Sequence, residues 1–149
     1  VFMEHEEYMR QALELARLAM AEGEVPVGCV IVRDGAVVGR GRNRRETAQT
    51  ALGHAELEAI AQACRTLGGW RLAGCALYVT LEPCPMCAGA IVNARIPAVY
   101  YGAKDDKAGC CGSVLNLFEE RFNHHPRIYG RVLEAECAAL LQEFFQSLR

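Results

Sequence analysis

The chain has 149 residues, 52% of them hydrophobic and 23% charged, with a formal net charge of −2. This size and balance suit one soluble globular domain and argue against a disordered or fibrous chain. No apolar run approaches the roughly 20 residues that cross a bilayer, the N-terminal VFMEHEEYMR is acidic where a signal peptide is basic, and the negative balance offers no global attraction for nucleic acid.

A single domain over residues 1–149 and a cytoplasmic location are therefore expected. Eight cysteines (Cys29, Cys64, Cys75, Cys84, Cys87, Cys110, Cys111 and Cys137) are spread through the chain, several inside apolar stretches. With no secretion signal, reduced thiols are the better reading, most as small buried hydrophobes and some available to metal.

In chain order, Tyr8, Ala12, Leu15 and Ala19 recur at helical spacing between Glu4 and Glu22, as do Met9, Leu13, Ala16 and Met20, which predicts a helix with a broad apolar face. VPVGCVIV, from Val25 to Val32, reads as a buried strand; RDG makes a turn and AVVGRGRN returns, completing a hairpin. GHAELEAIAQA opens a helix whose apolar face is read as Leu57, Ile60, Ala61 and Cys64. CALYVTL and AVYYGA are two further strands, each preceded by a helical segment, so parallel strands joined by helices are expected. Leu133, Cys137, Leu140, Leu141, Phe144 and Leu148 mark a last amphipathic helix. The fold class is α/β, a helix-flanked mixed sheet.

The chemistry concentrates in two places. Cys84 and Cys87 stand three apart just after a predicted strand, with Pro85 suited to the first turn of the helix that follows. Cysteines at a helix start ionise more readily, because unpaired N–H groups and the helix dipole favour negative charge, and thiolate is the form that binds zinc. Alone, Cys-x-x-Cys suits a redox pair, half a structural zinc site or two unrelated core residues. A closed structural site needs a fourth ligand that the sequence does not offer: Cys110 and Cys111 are adjacent, and the other cysteines fall on apolar faces. Adding His54 makes three protein ligands and leaves the fourth tetrahedral position for water, the catalytic pattern. Two residues on, Glu56 can exchange protons with that water and with the substrate, whereas Glu58 is read as an ordinary acid favoured by the helix dipole.

His-x-Glu followed about 30 residues later by Pro-Cys-x-x-Cys, here His54, Glu56, Pro83, Cys84 and Cys87, is the zinc deaminase signature. Beyond it, AEGEVPVGCVIV, GRGRN, GHAELEAI, LYVTLEPCPMCAGAIVNARI, YGAKDDKAG and ECAALLQEFF resemble the bacterial tRNA-specific adenosine deaminases over nearly the whole length. The resemblance implies a three-layer α/β/α, cytidine-deaminase-like fold around a mixed five-stranded sheet. It also implies one zinc per subunit, a homodimer, and conversion of the wobble adenosine of a tRNA anticodon loop to inosine.

Carried over to matching positions, His54, Cys84 and Cys87 would hold zinc and Glu56 would move protons. Val27 resembles a residue lining the base pocket, Asn43 a polar contact to the nucleoside, and Asp105 an aspartate that contacts ribose, with Lys107 beside it. Asn123 and His124 match a motif near the bound loop, and Phe145 resembles an aromatic that packs on anticodon nucleotides. Each has a plainer account: Val27 as strand core, Asn43 and Asp105 as turn formers, Phe145 as helix core. Arg42, Arg44, Arg45, Lys104 and Lys107 are either a phosphate-binding rim or a solvated surface.

Two departures stand out. Ala51-Leu52-Gly53 replaces the Pro-Thr-Ala of many family members, and residues 119–132 match only in part. Two rival functions share parts of the pattern: a deaminase of a free base or nucleoside such as guanine or cytidine, and a noncatalytic zinc-stabilised RNA-binding or scaffold protein.

Overall fold

The computed structural model describes residues 2–148; the expected domain's end residues, Val1 and Arg149, lie outside the described residues. α1 (Phe2–Ala21) is followed by the hairpin β1 (Gly28–Arg33) and β2 (Ala36–Arg42), then α2 (Ala55–Leu67), β3 (Cys75–Leu81), α3 (Pro85–Ala94), β4 (Ala98–Ala103), β5 (Arg127–Tyr129) and α4 (Glu134–Ser147). The sheet order is β2-β1-β3-β4-β5. β1 is antiparallel to both β2 and β3, while β3, β4 and β5 run parallel.

Alternation along the strands divides the core in two. Cys29, Ile31, Leu77 and Val79 pack with α2 and α3 on one face. Val30, Val32 and Tyr78 pack with Met9, Ala12 and Leu13 of α1 and Cys137 and Leu140 of α4 on the other. The result is the expected three-layer α/β/α arrangement with a mixed five-stranded sheet. The hairpin turns on Asp34 and Gly35, both with positive φ, as a two-residue turn between right-twisted strands demands.

Three local expectations are corrected. β1 begins at Gly28 and not at Val25: Pro26 has no N–H for the ladder, and the Val27 N–H turns back to the Val25 carbonyl at 2.9 Å. The fifth strand, β5, comes from the 119–132 segment, too short and too polar to read as a strand from its own residues. The buried face of α2 is Ala55, Glu56, Ala59 and Ala63; Leu57, Ile60 and Cys64 are half-buried and Ala61 is exposed.

The reason for the last correction lies in β2. A Cβ on Gly39 would overlap the Ala59 carbonyl, and one on Gly41 the Ala55 carbonyl. Two glycines on one strand face let a helix of small residues lie directly on the sheet, so close packing selects the alanines over the larger side chains.

Candidate active site

Two helix starts converge at one end of the sheet. His54 is the N-cap residue of α2, with extended backbone (φ −94°, ψ 148°), and its side chain caps nothing. Cys84 is the N-cap of α3, Pro85 opens that helix, and Cys87 lies one turn in. The imidazole Nδ1 is 3.6 Å from the Cys84 Sγ and 3.5 Å from the Cys87 Sγ. His54, Cys84 and Cys87 form a group that could hold a metal ion, their ligand atoms all within 4.8 Å of one another.

Zinc bonds of ~2.3 Å to sulfur and ~2.05 Å to nitrogen at the tetrahedral angle separate ligand S and N atoms by about 3.6 Å. The imidazole nitrogen thus already stands from both sulfurs at the spacing of tetrahedral ligands. Among the described residues no fourth protein ligand joins them, so the donor set is that of an open site.

The electrostatics agree. A hydrogen bond from Cys87, reinforced by one from His54, brings the Cys84 pKa down to about 4. The same shared proton drives the Cys87 thiol upward, with burial adding to it, and the His54 pKa rises because Cys84 accepts from it. Metal binding takes deprotonated sulfur and neutral imidazole, so a bound cation would displace the protons these groups share.

Glu56, 4% exposed, sits on the first turn of α2. Burial, opposed by a hydrogen bond from its own amide and aided by the charge on Cys84, raises its pKa to about 7. A carboxyl poised near neutrality both takes and gives a proton.

The cluster opens into a cleft of about 220 Å³ whose wall includes Val27, Asn43 and Asp105, as the resemblance implies, together with Val25, Arg45, Glu82 and Ala108. Asn43 is held by its Nδ2 donating to the Val25 carbonyl at 3.3 Å and its Oδ1 accepting from the Arg45 amide at 3.2 Å. Asp105 Oδ1 accepts from the amides of Lys107 and Ala108 at 3.1 and 3.2 Å, an aspartate turn that fixes the loop.

The remaining candidates stand away from the cleft wall. Lys107 and Asn123 are exposed, Phe145 is exposed on α4 with its ring edge-on to Phe144, and the His124 Nε2–H donates to the Ile96 carbonyl at 2.7 Å. The basic rim divides. Arg42 is engaged by Glu22 at 2.7 Å and Arg44 by Glu58 at 3.1 Å, while Arg45, Lys104 and Lys107 are exposed with no ion-pair partner among the described residues.

Glu58 has more to do than favour a dipole, since it also accepts from the Arg42 amide at 3.2 Å. Gly53 has a reason too: a Cβ there would come within 2.9 Å of the Arg45 backbone, whose neighbour Arg44 donates its amide to the Gly53 carbonyl at 2.8 Å.

Two buried acids escaped the sequence reading. Glu24 accepts from the Glu46 amide at 3.1 Å, the Thr47 amide at 2.6 Å and the Thr47 hydroxyl at 2.5 Å, pinning the loop that leads to His54. Glu82 does the same for the loop that carries Asp105. Their signal was an acid set in an apolar, proline-containing run; their partners lie more than 20 residues away and carry no pattern of their own.

The MafB19-like deaminase family matches residues 3–149. A tRNA-specific adenosine deaminase of Bacillus subtilis is 51% identical over 95% of this chain and 89% of its own. A solved structure from a study of A-to-I editing by tRNA:A34 deaminases superposes with a TM-score of 0.87 and 44% identity, covering 90% of this chain and 98% of that one. A guanine deaminase of Bacillus subtilis superposes with a TM-score of 0.64 and 44% identity over 67% of this chain and 64% of that one. Joined to the site's geometry, these matches place the chain in the family of the bacterial tRNA-specific adenosine deaminases.

Proposed function

We propose that this chain is a zinc-dependent hydrolytic deaminase that converts adenosine to inosine at the wobble position, 34, of a tRNA anticodon loop, releasing ammonia. The observation that carries it is the open His54, Cys84 and Cys87 cluster with buried Glu56 beside it at the foot of the cleft. One zinc per chain would be held by the His54 Nδ1 and the Cys84 and Cys87 sulfurs. When bound, the metal supplies Lewis acidity that brings the pKa of water toward neutrality.

The protein's own residues do the rest. The Glu56 carboxylate takes a proton from the attacking water, hands it to the ring nitrogen of the base, and carries another to the departing amine. Val27 and Ala108 bound an apolar slot for the base, Asn43 presents an anchored amide to the nucleoside, and Asp105 faces the sugar, where a 2′-hydroxyl distinguishes RNA from DNA. A base in an anticodon loop is already single stranded and costs little to turn out.

With a net charge of −2, phosphate affinity rests on local cations, and Arg45, Lys104 and Lys107 are free to supply it together with contacts from Asn123, His124 and Phe145 farther out. The reading includes one domain over the whole chain, a homodimer and a cytoplasmic location. Among the described residues no helix is long and apolar enough to cross a membrane. Exposed Leu115 and Phe122 offer apolar surface to a second copy.

The likeness to a guanine deaminase favours one alternative, the same chemistry on a free base. Incubating the protein with an anticodon stem-loop bearing adenosine at the wobble position, and separately with guanine, cytidine and adenosine, decides between them. Inosine in the RNA is expected, and turnover of a free compound alone would refute the tRNA reading.

A further inference from the structure

We infer that Glu82 is a positioning residue for the reaction: its carboxylate ties the 104–113 loop to the end of β3 and thereby sets where Asp105 stands over the cleft. The inference rests on the deaminase reading above. Glu82 follows β3 directly and precedes Pro83 and Cys84, so it belongs to the segment that delivers a metal-ligating thiol. It is 2% exposed and has no cationic partner among the described residues.

Four donors from the loop hold its charge instead. Oε1 accepts from the Asp105 amide at 3.1 Å and the Ser113 hydroxyl at 2.5 Å; Oε2 accepts from the amides of Cys111 at 2.9 Å and Ser113 at 3.1 Å. That fills the acceptor sites of an ionised carboxylate. Two backbone bonds close the join, Glu82 N–H to the Ala103 carbonyl at 2.9 Å and Cys110 N–H to the Pro83 carbonyl at 2.8 Å. Gly109 completes it by absence, because a Cβ there would overlap the Glu82 carboxylate.

A buried charge is costly unless it is hydrogen-bonded, so this carboxylate holds the loop that supplies its donors against the end of β3. Asp105 and Ala108 line the cleft with Glu82 itself, and Asp105 is one of the four donors. The His54, Cys84 and Cys87 side chains make no hydrogen bond to Glu82 among the described residues, so the Glu82 carboxylate acts on the loop and not directly on them.

Two substitutions probe the link from opposite ends. Glu82→Gln keeps the volume but turns an –NH2 toward amides that can only donate; Gly109→Ala leaves Glu82 intact and crowds its carboxylate. Each is expected to raise KM for the stem-loop about tenfold with kcat within about threefold and the metal content unchanged. In the cycle with Asp105→Ala, the double variant Asp105→Ala/Glu82→Gln should fall within about twofold of the worse single variant, because Glu82→Gln acts by displacing the Asp105 carboxylate that Asp105→Ala deletes, while the Asp105 amide that Glu82 accepts from is kept. Should Glu82→Gln not fold, Ser113→Ala, which removes only the hydroxyl donor, carries the same cycle with a smaller effect.

Losses that multiply, loss of metal along with activity, or wild-type kinetics in both single variants would overturn the inference. If the wild-type protein does not turn over the stem-loop, the functional reading fails first, and hydrogen exchange then decides on Glu82. Faster exchange at amides 105–113 with α3 unchanged in Glu82→Gln supports the link, and unaltered exchange there overturns it.

Discussion

At the scale of single residues, two acids with opposite surroundings have opposite uses. Glu56 has its pKa raised to about 7 chiefly by burial and lies beside the His54, Cys84 and Cys87 group. Burial would raise the Glu82 pKa as well, yet the bonds from Ser113, Asp105 and Cys111 outweigh it and the net shift is downward, leaving a fixed charge. The difference follows from how many N–H groups each carboxylate meets. A Glu56→Ala variant is expected to keep its fold and about one metal per chain while losing roughly 10²–10⁴ in kcat, the usual scale of general acid and base assistance. Metal analysis beside an inosine assay checks both halves, and an active variant would exclude the proton-transfer role.

The zinc signature, His54, Glu56, Pro83, Cys84 and Cys87, was legible in the sequence because helix-start chemistry is local: each residue's role follows from its place on its own first turn. Glu24 and Glu82 were not, since their partners become neighbours only after the chain has folded.

At the scale of elements, the meeting of α2 and β2 shows how a glycine pattern acts. Gly39 and Gly41 alternate with Arg40 and Arg42, so the bare positions face α2 and the arginines face away. The sequence reading assigned α2 an apolar face of larger side chains, because hydrophobicity was the only measure available. Contact distance decided otherwise, and the alanines won. Gly41→Ala is expected to cost about 1–3 kcal/mol, the range for overpacking a core, and to lower the melting temperature by roughly 3–10 °C. Gly89→Ala, in α3 with nothing within 4 Å of its Cβ position, is expected to be neutral or stabilising. Equal melting temperatures for the two variants would contradict the close-packing account.

At the scale of the whole molecule, the two helix starts can meet because β2 and β3, each antiparallel to the β1 strand between them, end at the same edge of the sheet. Around it, two loops are fastened by buried acids. Burial alone would raise the Glu24 pKa, but the bonds from Thr47 and Glu46 more than offset this, and it lies below the ordinary 4.5, as does that of Glu82. Folded carboxyls with lowered pKa refuse protons that the unfolded chain accepts. Their stabilisation is therefore complete above the ordinary carboxylate range and is lost as pH falls through it. Melting temperatures measured from pH 6 down to pH 3 are expected to fall more steeply for the wild-type protein than for Glu24→Gln. Parallel curves would remove Glu24 from the account.

The sequence by itself determined the layer pattern, the hairpin turn, the His54, Cys84 and Cys87 candidates for holding a metal and the family resemblance, because these depend on spacing along the chain and on chemistry within one turn of helix. Tertiary structure alone decided which face of α2 is buried, why Gly53 precedes the histidine, where β5 pairs and which acids lock the loops. Those depend on distances between segments far apart in the chain, where one missing Cβ or one carboxylate meeting four donors outweighs any local preference. GHAELEAIAQA thus announced its two cleft-lining candidates, His54 and Glu56, on its own. The alanines that seat the same helix on the sheet were chosen by the glycines of β2.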